Sequence, residues 1–221
     1  MSVLVVAPHM DDEVLGCGGA IARHVDEGMD VHVCVVCNRA YGRVYDVEAI
    51  EREQTDARRA QEILGYTSLR FLDLPDERLY AHFQEALEAI EAVAVEIEPE
   101  IVYTCHAGDL HQDHRVVAHA SNIVFRSVGN TRLKRVLAYE VPSATDQVFP
   151  GFADGFSPNF FVAMNRDHLE RKMRAMEAYE RESRSPPHPR SPEMLQARAQ
   201  VRGSECARSF AEAFVLLREV V

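Results

Sequence analysis

The sequence is short of positive charge: 24 lysines and arginines stand against 35 aspartates and glutamates, a formal net charge of −11. Holding phosphate backbones or anionic lipid takes clustered surplus Lys and Arg, so the composition argues against nucleic acid or a charged membrane surface as partner. Long hydrophobic runs are missing as well. The opening MSVLVVAPHMDDE carries an apolar stretch far shorter than the ~20 residues of a membrane span, and it lacks the basic start of a secretory signal, so the expectation is a cytoplasmic protein with no anchor. Cysteines are few and odd in number (Cys17, Cys34, Cys37, Cys105 and Cys206), the wrong pattern for a disulfide scaffold, and reduced thiols are expected. Cys34 and Cys37 form a C-x-x-C inside the strand-like run VHVCVVCN. In a strand, side chains three apart point to opposite faces, which argues against a zinc or redox pair. There is no internal repeat and no low-complexity tract, and GCGGA lacks both G-x-G-x-x-G and the Walker lysine of a phosphate loop.

What remains is an ordinary soluble chain of 221 residues, 47% hydrophobic, long enough to bury a core. Short apolar runs alternate with helical ones. SVLVVA at 2–7, DVHVCVVC at 30–37, SLRFLDL at 68–74, IVYTCH at 101–106 and RVLAYEV at 135–141 read as strands. Between them, GGAIARHVDEG, residues 47–64, residues 82–97 and VVAHASNIVFRSV read as helices, with apolar residues at spacings of three and four. Near-continuously apolar strands alternating with helices predict an α/β fold, a doubly wound, mostly parallel sheet with helices on both faces. The pattern changes after residue 141. Residues 142–160 are rich in Pro, Gly, Ser and Phe, NFFVAM suggests a short edge strand, 166–182 a charged helix, and SRSPPHPRSP a turn into a last helical region. No polar linker intervenes, so 1–221 is read as one domain: a core over 1–141 and a C-terminal, helical elaboration over 142–221.

Ligands of open α/β sheets bind outside the carboxyl ends of the strands. The first strand runs into Pro8-His9-Met10-Asp11-Asp12-Glu13 and the fourth into His106 through Arg115, which includes Asp109, His111, Asp113 and His114. His9 and Asp12, three apart on a tight loop, can converge on one ion at ~2.0–2.2 Å, and His114 would complete a two-histidine, one-carboxylate set with a position open for water. Capping of the following helix explains one of the consecutive acids but not His9 as well.

APHMDDEVLGCGGAIA after a first strand, with DLHQDHRVV after the fourth, resembles the LmbE-like, or PIG-L, family of zinc-dependent deacetylases, whose hallmarks are an (A/P)HPDDE loop and an HPDH segment. RRAQEILGY, FLDLPDERL and RGSECARSFAEAF extend the resemblance over nearly the whole chain. Met10 and Gln112 replace prolines of the pattern and spare every presumed ligand. In helix 47–64, where many relatives place a substrate-contacting arginine, the sequence reads EREQTDA, with Arg52 or Glu53 at that place. The resemblance implies a Rossmann-like fold of LmbE type and zinc, or another divalent metal, held by His9, Asp12 and His114. It further implies Asp11 as general base, His111 near the developing oxyanion, and Asp113 as the group that orients His111 and keeps it cationic. It places Arg135 behind Asp113. The substrate class it carries is a small N-acetylated molecule, above all an N-acetylglucosamine-type sugar or its conjugate, and it implies a homo-oligomer.

Two further groups of residues suit a cleft. Tyr41, Tyr45, Phe149, Phe152 and Phe156 lie in irregular segments, with Arg39 and Arg43 beside the first pair, offering flat faces and polar forks for a sugar. His188, in PPHPRS, sits on a segment long enough to fold over a pocket. Two rivals to sugar deacetylation are an amidase acting on a larger thiol or antibiotic conjugate and a non-catalytic metal- or nucleotide-binding α/β module; the latter leaves Asp11 unexplained.

Overall fold

The computed structural model describes residues 1–38, 47–129 and 131–221. Arg39, Arg43, Tyr41 and Tyr45 lie outside the described residues. Strand β1 (Ser2–Ala7) leads into α1 (Asp12–Asp26), β2 (Asp30–Asn38), α2 (Val47–Leu64) and β3 (Ser68–Pro75). A 3₁₀ turn (Leu79–His82) precedes α3 (Phe83–Ile97), β4 (Ile101–Cys105), α4 (Gln112–Val124) and β5 (Arg135–Tyr139). The remainder comprises β6 (Phe160–Met164), α5 (Arg166–Ala178), α6 (Pro192–Glu205) and β7 (Phe210–Glu219).

The strands form a seven-stranded sheet in the order β3-β2-β1-β4-β5-β7-β6. The five from β3 to β5 are parallel, and β7 runs antiparallel to both its neighbours. Val3 to Ala7 are fully buried, as a strand covered on both faces requires. Helices α1, α2 and α5 pack together, and α3 packs with α4. Right-handed crossovers on the two sides of β1 place these groups on opposite faces. The α/β class, the parallel core and the edge strand at 160–164 are as expected.

Helices α1 and α4 begin six and four residues before the runs read as helical, α5 ends at Ala178, and one element differs in kind. The last helical region ends at Glu205, and Phe210–Glu219 is a strand inserted between β5 and β6. Its Ala, Glu and Leu dilute the strand signal of its two Phe and its Val, but burial against two neighbouring strands outweighs local propensity. A buried ion pair locks this insertion to α1. Lys172 Nζ stands 2.6 Å from Glu212 Oε1 and donates to the Leu15 carbonyl at 2.8 Å, while the Glu212 carboxylate accepts from the backbone N–H groups of Gly19 and Ala20. Gly16 allows α1 to lie close to β5: a Cβ there would come within 2.3 Å of the Tyr139 ring.

All five cysteines are free, and burial pushes the Cys34 thiol up to about 12. Among the described residues, no helix is long and apolar enough to cross a membrane.

The chain moves from β1 outwards to β2 and β3, then returns to β4 on the other side of β1. The carboxyl ends of β1 and β4 are therefore neighbours whose connections leave in opposite directions, and a crevice opens between them.

Candidate metal centre and cleft

The turn after β1 is tight. The His9 backbone N–H donates to Asp12 Oδ2 at 2.9 Å, and the Asp12 N–H donates to the His9 carbonyl at 3.3 Å. This turns the His9 ring and the Asp12 carboxylate towards the same point, and His114, in the first turn of α4, reaches it from the other strand end. His9 Nδ1 stands 3.2 Å from Asp12 Oδ2 and 3.3 Å from His114 Nε2, and His114 Nε2 stands 3.2 Å from Asp12 Oδ2. Donors on a tetrahedral ion at ~2.0–2.1 Å are about 3.3 Å apart, so this triangle fits a zinc-sized cation. All three residues are buried. Burial alone would lower the His114 pKa, but Asp12 and Asp109 outweigh it and raise it to about 9. Asp12, which burial pushes upwards, is held well below the usual carboxylate range by His114 and His9.

Each imidazole has a carboxylate beside its far nitrogen, the side from which such a group orients a metal-binding ring, although the His114–Asp109 approach lacks hydrogen-bond alignment. Asp109 Oδ1 stands 3.2 Å from His114 Nδ1, and Asp109 is itself held by the Thr145 hydroxyl (2.6 Å) and the His111 N–H (2.8 Å). His9 Nε2 faces Asp76 Oδ1 at 3.0 Å and Asp113 Oδ2 at 3.4 Å.

The position of His111 corrects an expectation. Its Nδ1 accepts the Asp113 backbone N–H at 3.2 Å as the cap of α4, which leaves the proton of a neutral ring on Nε2. The Asp113 carboxylate is 4.0 Å from the His111 ring and is used instead by the N–H groups of Glu77 (2.7 Å) and Leu79 (3.3 Å) and by His9. Burial, together with the charges of His9 and His114, takes His111 down to about 4. The Asp113 carboxylate thus faces His9 rather than the His111 ring.

Asp11 caps α1 with left-handed geometry (φ 107°), yet its side chain makes no capping bond. The fully buried carboxylate accepts from Arg190 Nη1 at 2.7 Å. Arg190 also pairs with Glu182 (2.6 Å) and donates from Nε to Ser143 Oγ (2.8 Å). Behind Asp11, its N–H donates to Glu13 Oε2 at 3.1 Å, and the Tyr179 hydroxyl donates to Glu13 Oε1 at 2.6 Å. Burial, with the Asp11 charge adding to it, lifts Glu13 to about 7 against the Tyr179 hydrogen bond.

These groups open into a cleft of about 650 Å³ lined by His9, His111, His114, Asp76, Arg184 and Arg190, among others. Three expectations fail here. Arg135 begins β5 at the opposite end of the sheet, where it pairs with Glu219 and lies over the Phe160 ring, because a strand's first residue cannot reach the carboxyl-end crevice. The loop after α5 does reach the cleft, but through Arg190; the His188 ring turns back to accept the Arg190 backbone N–H at 3.1 Å. Phe149 and Phe152 stand 78% and 70% exposed, and Phe156 packs edge-on against His106, so none of the three walls the cleft.

Asp109 and Asp76 received no role from the sequence, although both follow strand carboxyl ends and the same rule would have found them. Arg190 lies 179 positions from Asp11, and nothing local announces it.

Two histidines and a carboxylate thus meet at a switch point, beside a polar cleft and a further carboxylate, a donor set that suits a divalent cation. Residues 4–125 match the PIG-L family, described as GlcNAc-PI de-N-acetylase, and the chain belongs to that family. It is accordingly an enzyme of the deacetylase class. Among curated relatives, it is 27% identical over 165 residues to the uncharacterized deacetylase YaiS of Escherichia coli K12, covering 72% of this chain and 84% of that protein. It is 29% identical over 189 residues to the diacetylchitobiose deacetylase of Thermococcus kodakarensis, covering 80% and 68%. Its fold matches GalB, the 4-carboxy-2-hydroxymuconate hydratase of Pseudomonas putida KT2440, with a TM-score of 0.79 at 23% identity over 100% of this chain and 97% of that one.

Proposed function

We propose that the protein is a zinc-dependent hydrolase that removes the acetyl group from an N-acetylated amino-sugar derivative of the N-acetylglucosamine type. The observation that carries this reading is the triangle of His9 Nδ1, Asp12 Oδ2 and His114 Nε2 at the β1/β4 switch point, with Asp11 adjacent and not spent on capping. The family match and the diacetylchitobiose deacetylase relative support the substrate class. Strands from 1–141 and from 142–221 share one sheet, which supports treating the whole chain as a single catalytic domain.

When bound by His9, Asp12 and His114, zinc supplies a polarised amide oxygen and a water of lowered pKa. The chain's own residues do the rest. Asp109 holds His114, and Asp76 with Asp113 holds His9, so the donor atoms face one point before any ligand arrives. Asp11 takes the proton of the attacking water and returns it to the departing amine. His111 donates its Nε2–H to the oxygen that gains charge as the acyl carbon becomes tetrahedral; loss of such a donor typically costs about 2.7–4 kcal/mol of barrier. A neutral imidazole donates without carrying a buried charge towards the metal.

The test is elemental analysis of the purified protein coupled to an amine-release screen over N-acetylated sugars, their larger conjugates and simple amides. The expected result is about one zinc per chain and amine release from sugar substrates, with Asp11→Asn retaining the metal while losing roughly 10²–10⁴-fold in turnover. His114→Ala should lose the metal. Full turnover in Asp11→Asn, or full occupancy in His114→Ala, would overturn the assignments. The hydratase neighbour makes a second readout worthwhile: loss of a conjugated-acid absorbance without amine release would favour hydration.

A further inference from the structure

Asp11 is a buried acid in a conformation that side-chain-bearing residues avoid. At φ 107° its Cβ costs of order 1–2 kcal/mol, and such conformations persist only where the surroundings over-determine them. The motif loop contributes part of that restraint: the Asp11 carbonyl accepts from Val14 and Leu15 at the start of α1. A further part comes from far along the chain, in two arms.

The first arm holds the backbone. The Tyr179 hydroxyl donates to Glu13 Oε1 at 2.6 Å, and Glu13 Oε2 accepts the Asp11 N–H at 3.1 Å, with Glu13 and Tyr179 both buried. The second arm holds the carboxylate. Arg190 Nη1 reaches Asp11 Oδ2 at 2.7 Å, and its guanidinium is itself fixed by Glu182 and Ser143. Both arms are rooted in the stretch from Tyr179 to Arg190, beyond residue 125 where the family match ends.

We propose that Tyr179 and Arg190 are positioning residues for Asp11, fixing its backbone and its carboxylate in the orientation that proton transfer requires. This rests on the function proposed above, in which Asp11 is the base. Orientation is worth a great deal in such a step, because a misplacement of about 1 Å can cost 10²-fold. A flexible Asp11 would relax towards an ordinary helix cap and spend its carboxylate on the amides of α1.

The test measures kcat, KM, bound metal and thermal unfolding for Tyr179→Phe, Arg190→Ala and Arg190→Lys, each alone and in an Asp11→Asn background. Tyr179→Phe and Arg190→Ala should lower kcat by about 10–100-fold, with KM within about threefold and metal content unchanged. Arg190→Lys should recover part of the loss, and guanidinium ion added at sub-denaturing concentration should partly restore Arg190→Ala. In the Asp11→Asn background neither change should lower turnover further, because residues acting through one group are not additive. Unchanged kcat in both single variants overturns the inference, as do losses that multiply with Asp11→Asn. Full turnover in Asp11→Asn, or no amine release by the wild type, instead brings down the functional reading and this inference with it.

Discussion

Asp11 shows what a single Cβ does to a loop. Asp11→Gly and Asp11→Ala both remove the carboxylate from Arg190, and they differ only in the atom that φ 107° disfavours. Asp11→Gly should therefore be the more stable of the two by about 1–2 kcal/mol, measured by chemical or thermal unfolding; equal stabilities would mean that the loop carries no strain. Asp109 stands behind His114, on the side away from the point where His9, Asp12 and His114 converge. Its replacement by Ala leaves all three candidate ligands in place but takes away the group behind His114 Nδ1, and zinc affinity measured by chelator competition should fall about 10–100-fold. At this scale the convergence of His9, Asp12 and His114 was legible, because the segments leaving the carboxyl ends of neighbouring parallel strands share the mouth of one crevice. Arg190 was not, since a guanidinium 179 positions away arrives by the path of a loop that no periodicity encodes. The contact between His111 and Asp113 was misread for a related reason: that the His111 ring accepts the Asp113 N–H is a matter of the cap, not of neighbouring letters in the chain.

Helices α1 and α5 and strand β7 are tied by Lys172 and Glu212, both buried. Removing one partner leaves an uncompensated charge in the interior, so Glu212→Ala or Lys172→Met should each destabilise the fold by about 3–5 kcal/mol, whereas replacing both with apolar residues should cost far less than the sum. Unfolding titrations of the two single variants and the double variant decide this. The α1/β4 contact carries a pH dependence. His24 Nε2 lies 2.8 Å from the Tyr103 hydroxyl, and burial, reinforced by Arg23 and opposed by Glu27, lowers its pKa below 6.5. The unfolded chain therefore binds this proton first as pH falls, so the stability associated with neutral His24 is complete above about pH 6.5 and is lost progressively below it. The stability difference between wild type and His24→Gln should accordingly shrink between pH 7 and pH 5; a constant difference would refute the linkage. Helices with a clear apolar period were legible to within a residue, Val47–Leu64 and Phe83–Ile97 among them, whereas α1 and α4 begin earlier than their apolar runs because capping loops start them. Strand β7 was not, because FAEAFVLLRE has no strong strand preference until two neighbours bury it.

Over the whole molecule, the net charge of −11 hides a division of labour. Most carboxylates face solvent, but Asp11, Asp12, Asp76, Asp109 and Asp113 gather at one end of the sheet, where His9, His114 and Arg190 face them. The parallel half of the sheet was readable because each strand pairs with one reached by a single crossover. The other half was not, since β5 and β6 never touch and both depend on a strand made later. That topology bears on biosynthesis. As the chain leaves the ribosome, β1 to β5 can assemble in turn, whereas β6 emerges with no partner and stays unpaired through the making of α5 and α6. Only when synthesis has passed Glu219 can β7 slide in between and close the edge. The closing of this sheet thus waits on the making of β7, and until then an open strand edge is a part of the nascent protein in need of a chaperone.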